Sequence, residues 1–101
     1  MSHKLIVKRL AEHDITEAVA WYYTRAPHLA EQFIEEIDKA ILVLEKNPEH
    51  YQKRYYEVRI LFIESFPFGI YYTIENNTIY IQAVLHTKRN PKQEPKEPKA
   101  G

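Results

Sequence analysis

Two periodicities divide the chain near residue 50. From Ile15 to Leu44 apolar residues recur every three or four positions, the repeat that lines one side of a helix; from Tyr55 to His86 they recur every second position, as on one face of a strand. In the first part Ile15, Ala18, Val19 and Tyr22 make one stripe, and Ala30, Phe33, Ile34, Ile37, Ile41 and Leu44 make a second. Pro27 lies between them, where it breaks the first helix and suits the opening turn of the next. Asp14, followed three residues on by Glu17, has the spacing of a capping box and sets a helix start there or slightly earlier, at Ala11. The second helix ends at residues 45–47, because Pro48 pushes its predecessor out of helical backbone. So short a connection folds the two helices into an antiparallel hairpin.

The alternating segments predict strands over residues 55–64, 66–75 and 78–86, each rich in Ile, Val, Tyr and Phe and bounded by turn residues or proline. Asn76 and Asn77 tolerate the positive φ of a two-residue turn, so the last two strands should pair antiparallel. A short β-prone run at residues 4–10, flanked by cations, predicts one strand before the helices. The order β-α-α-β-β-β is that of an α+β domain, with the helical hairpin packed on one face of a small antiparallel sheet. Period-two parity assigns Phe68, Ile70, Tyr72, Ile74, Ile79, Ile81, Ala83 and Leu85 to the face beneath the helices. Tyr71, Thr73, Tyr80, Gln82, Val84 and His86 are then assigned to the open face.

With 101 residues and 45 % apolar content the chain makes one core. We place the domain at residues 1–91 and read residues 92–101, where proline alternates with charge, as a disordered tail. The absence of cysteine excludes disulfides and thiolate chemistry. The apolar run at residues 5–7 is far too short for a signal peptide or a membrane span, which predicts a cytoplasmic protein. Formal net charge is zero, but residues 1–46 carry six basic and eight acidic groups while residues 87–101 carry five and two. The positive excess is C-terminal. His3, His13, His28, His50 and His86 lack the spacing of metal ligands, so neither a metal nor another cofactor is expected.

Several motifs then line up in order: AxxDIxEAxxWY (Asp14, Ile15, Glu17, Ala18, Trp21, Tyr22), NPxxY (Asn47, Pro48, Tyr51), Arg59, FPFxIYY (Phe66 to Tyr72) and IxAVLHxxRNP, ending in Val84, Leu85, His86, Arg89 and Pro91. Their sequence and spacing resemble the RelE/ParE toxin superfamily over roughly residues 4–91. The resemblance implies the toxin of a type II toxin-antitoxin pair, held inactive as a hetero-oligomer by a cognate antitoxin. One branch cleaves mRNA on the ribosome; the other poisons DNA gyrase by binding it.

RNA cleavage through a 2′-hydroxyl needs a base, an acid and cations around the phosphorane. His86 is the natural proton carrier, Arg59 a phosphate neutraliser, and Lys88 and Arg89 could hold the RNA backbone. The structural alternative has His86 capping or hydrogen-bonding a strand end, Arg59 pairing with a carboxylate, and Lys88 and Arg89 solvated. Gly69 stands where many members of the ribonuclease branch carry a cation, and the HxxRxP ending is more similar to the ParE side. On that side Lys88 and Arg89 form a basic edge, and Tyr71 and Tyr80 add contact area to a patch that binds the target. A third possibility is a non-toxic module that only binds an antitoxin.

Overall fold

The computed structural model describes residues 3–88. They form β1 (Lys4–Val7), α1 (Arg9–Arg25), α2 (Pro27–Lys46), a short 3-10 turn (Pro48–His50), then β2 (Lys53–Tyr55), β3 (Val58–Phe62), β4 (Phe68–Glu75) and β5 (Thr78–His86). The two helices pack against one face of a five-stranded sheet of order β1-β5-β4-β3-β2, which is the α+β arrangement the periodicities imply. The C-terminal residues from Arg89 onward, including the tail, lie outside the described residues.

The sheet is mixed. Strands β2 to β5 walk back across it as an antiparallel meander, which brings β5 alongside β1, and these two pair in parallel from Lys4↔Thr78 to Val7↔Ile81. The strand expected over residues 55–64 is two strands, because the chain turns at Tyr56 and Glu57 and pairs Tyr55 with Val58. Asn76 takes the positive φ, 57°, of the β4–β5 turn.

Both helical stripes face the sheet. Ala11, Ala18 and Tyr22 of α1 and Ala30, Phe33, Ile37, Ala40 and Leu44 of α2 are buried, while Ile34 of the second stripe is exposed. Tyr22, Phe33, Phe66 and Phe68 interlock, with ring centroids 5.0 Å apart for Tyr22–Phe66 and 5.1 Å for Phe33–Phe68. Each such side chain, fully buried, contributes about 1.5–3 kcal/mol. This aromatic knot fixes the hairpin over the end of the sheet where β4 begins and β5 finishes.

Asp14 is not the cap of α1. The helix starts at Arg9 behind Lys8, with no side-chain cap bond, and Asp14 lies in its second turn. The parity assignment also fails halfway along β5. Tyr71 pairs with Ala83 but Tyr72 with Ile81, so Gln82 is an extra residue, a β-bulge that shifts every later side chain of β5 to the other face. Ala83 and Leu85 therefore move to the open face, where they pack with Ile60 and Tyr71 in a second, smaller core. Val84 moves beneath the helices. His86 follows it, its ring 5.1 Å from that of Phe68.

Candidate functional site

The bulge carries His86 into a cleft of about 540 Å³ between α1 and the end of β5, lined by Asp14, Glu17, Trp21, Thr24, Phe68 and His86 among others. The chemistry of the two central side chains is largely committed to the fold. Beyond Ile81, where β1 stops, β5 has no neighbouring strand on that side among the described residues. Asp14 fills the gap: its Oδ2 accepts the Val84 backbone N–H at 3.0 Å. Burial pushes the Asp14 carboxyl above its ordinary range, and the hydrogen bond from Val84 opposes that rise. His86 closes the following turn, its Nδ1 accepting the Lys88 backbone N–H at 3.1 Å, which in a neutral ring places the proton on Nε2. At the outer end of the cleft the Arg25 guanidinium lies 3.9 Å from the centre of the Trp21 ring.

Arg59 serves elsewhere, and its hydrogen-bond partners are backbone carbonyls rather than the carboxylate expected of a structural arginine. Its Nη1 donates to the Tyr51 carbonyl at 2.6 Å and to the Glu49 carbonyl at 3.3 Å, while the Tyr72 hydroxyl donates to the Pro48 carbonyl at 2.6 Å. Together they tie the 3-10 turn to the sheet. Burial raises the Tyr72 hydroxyl far above the usual phenol range, against the pull of the adjacent Arg59 cation, so it remains a donor. Arg59 pairs opposite Tyr72 and His86 opposite Phe68, four residues along β4 and two strands across, which puts their backbones roughly 16 Å apart. The two proposed catalytic residues are not brought together.

The predicted contact patch is also dispersed. Tyr71 is fully buried in the second core, so it presents no surface to a target. Tyr80 is half-buried beneath the Lys8 ammonium, 5.6 Å from its ring centre, and six residues, about 20 Å, from His86 along β5. Lys88 is exposed at the end of the described chain, and Arg89 falls outside it. Among the described residues no three His, Asp or Glu side chains gather as a metal site, and no helix is long and apolar enough to cross a membrane.

A family model described as the ParE toxin of the type II toxin-antitoxin system parDE matches residues 5–91. The chain belongs to the ParE toxin family. Its fold is shared with a solved chain of the chromosomal ParDE toxin-antitoxin system from P. aeruginosa, at a TM-score of 0.76 and 20 % identity, covering 86 % of this chain and 98 % of that one. No curated protein sequence matches significantly.

Seen in this ParE fold, the separated motifs are halves of the same contacts. The aspartate of AxxDIxEAxxWY meets the valine of AVLH, and NPxxY meets Arg59 and the last tyrosine of FPFxIYY. The motifs that carry the likeness are thus mainly locks between distant segments. Gly69 has a reason too: a Cβ there would lie 2.9 Å from Ile60 Cγ2 and 3.4 Å from the Phe62 ring. On the open face the space beside Gly69 is taken by the Ile60 side chain and the Phe62 ring. The KRYY segment, Lys53 to Tyr56, forms β2 and the start of its turn, with Lys53, Arg54 and Tyr56 exposed and Tyr55 half-buried; its adjacent cations and tyrosines are the signal the sequence carries for this surface.

Proposed function

We propose that this ParE-family chain is the toxin of a pair, neutralised by a cognate antitoxin in the cytoplasm, and that it arrests growth by binding DNA gyrase without catalysing a reaction. The observation that carries the reading is the distribution of His86 and Arg59. Each is spent on backbone groups at a different end of the sheet, and Phe62 covers the spot where a nuclease-type cation would project from residue 69. Binding requires no assembled acid, base and phosphate clamp; cleavage of RNA does.

Induced expression separates the outcomes. A gyrase poison produces DNA damage and filamentation while translation continues. A ribosome-dependent ribonuclease stops translation and leaves cut transcripts, and a non-toxic module leaves growth normal. His86→Gln is the accompanying variant, since its amide oxygen can still accept the Lys88 N–H while the ring is gone. Full toxicity is expected of it; loss of toxicity with an unchanged melting temperature would return His86 to a catalytic role.

A further inference from the structure

The β2–β3 hairpin holds a backbone outlier. Tyr56 has φ 54°, in the left-handed region, and is 56 % exposed. A bulky residue is disfavoured there, and glycine, asparagine or aspartate are the ordinary occupants of such a turn. Asn76, in the other two-residue turn of the same sheet, obeys that rule. Backbone strain of this kind collects at sites where contacts with a partner are made.

Two neighbours share that character. The Arg54 guanidinium lies over the Phe62 ring, 5.4 Å from its centre, and Phe62 is 48 % exposed. Lys53 is paired with Glu57 at 3.0 Å, whereas Arg54 has no carboxylate partner among the described residues. The support is rigid: Phe62 and Ile60 settle against the bare Cα of Gly69, and Ile60, Tyr71, Ala83 and Leu85 are buried beneath. Tyrosine and arginine are the residue types that dominate binding energy in protein interfaces, and aromatic rings with arginine are enriched there. One uncompensated cation is too few for a nucleic-acid backbone, where several phosphates must be neutralised, but it suits a single carboxylate set in apolar surface.

We propose that Arg54, Tyr56 and Phe62 form the surface through which the chain grips its protein target, Arg54 receiving a carboxylate and the two rings covering the apolar area beside it. This rests on the reading of the chain as a toxin that acts by binding, and gyrase is the target to be tried first.

The test measures binding of the full chain to purified gyrase subunits and to duplex DNA alone, with growth arrest on induction and thermal unfolding recorded for Arg54→Glu, Tyr56→Gly and Phe62→Ala. Tyr56→Gly relieves the strained φ, so it should stay folded yet bind gyrase at least about tenfold more weakly, as should the other two. Wild-type affinity and wild-type growth arrest in all three variants would overturn the proposal. If wild type ignores gyrase while all three folded variants lose growth arrest, the gyrase assignment fails and the surface stands. If wild type binds duplex DNA and the variants lose that, the partner is a nucleic acid and the protein assignment falls. If wild type neither binds gyrase nor arrests growth, the toxin reading falls and takes this surface with it.

Discussion

The two faces of the sheet are built from the same strands and solve different problems. The covered face is sealed by two helices and packs large rings from both helices, β4 and the loop before it, Tyr22, Phe33, Phe68 and Phe66, into one continuous core. The open face has no helix over it, yet Ile60, Tyr71, Ala83 and Leu85 are buried there, roofed by side chains of the strands themselves. The first face gains stability from area, so its tolerance depends on volume. The second gains it from close approach at one glycine, so its tolerance depends on a single Cβ. A face that shields itself in this way keeps its outer side chains available to a partner, which the helix-covered face cannot do.

The comparison breaks most severely through the covered face. Phe33→Ala removes a fully buried ring that touches three others, and should cost about 3–5 kcal/mol in urea unfolding. On the open face the damaging change is an addition. Gly69→Val should cost about 1–3 kcal/mol, and Gly69→Ala less, because the new Cβ meets buried Ile60 at 2.9 Å and the strands must give. If Gly69→Val is neutral, the open-face core is loose and the rigidity claimed for the hairpin above it is lost. Tyr72→Phe separates packing from polar locking: the ring stays, the buried hydrogen bond to the Pro48 carbonyl goes, and about 1 kcal/mol should be lost.

The helices and the order of the elements were legible because their apolar stripes run on for several turns. Three features were not. The parallel β1–β5 pair depends on where the meander ends, which no local pattern encodes. The β-bulge at Gln82 leaves the alternation of hydrophobic residues intact in composition while exchanging faces, so Ala83 and Leu85 read as core beneath the helices and are core on the other side. Tyr71 was misassigned to a binding surface for a related reason: a large aromatic at an open-face position reads as exposed unless the sheet has a second core. Of the candidate site, His86, Arg59 and Lys88 were found as residues, but their roles hinge on backbone partners 2 to 10 residues away that only the fold brings into line.

Asp14 gives the most specific test of how the covered face is closed where β1 runs out. Asp14→Leu leaves the Val84 N–H without an acceptor in a nearly inaccessible place and should cost about 1–3 kcal/mol, whereas Asp14→Asn keeps an oxygen in reach and should cost little. The two also differ in pH dependence. Because burial raises the carboxyl in the folded chain above the ordinary 3.8, the folded state binds this proton more readily than the unfolded state does. The resulting stabilisation is complete below about pH 3.8 and is lost as pH climbs through the raised folded value, so wild type should weaken relative to Asp14→Asn across that interval and run parallel to it above. Urea midpoints of the two proteins measured side by side from acid to neutral pH give the difference directly. A gap that changes the other way, with wild type gaining on the variant as pH rises, would mean that the Val84 hydrogen bond outweighs burial, and that Asp14 works as a charged anchor for β5.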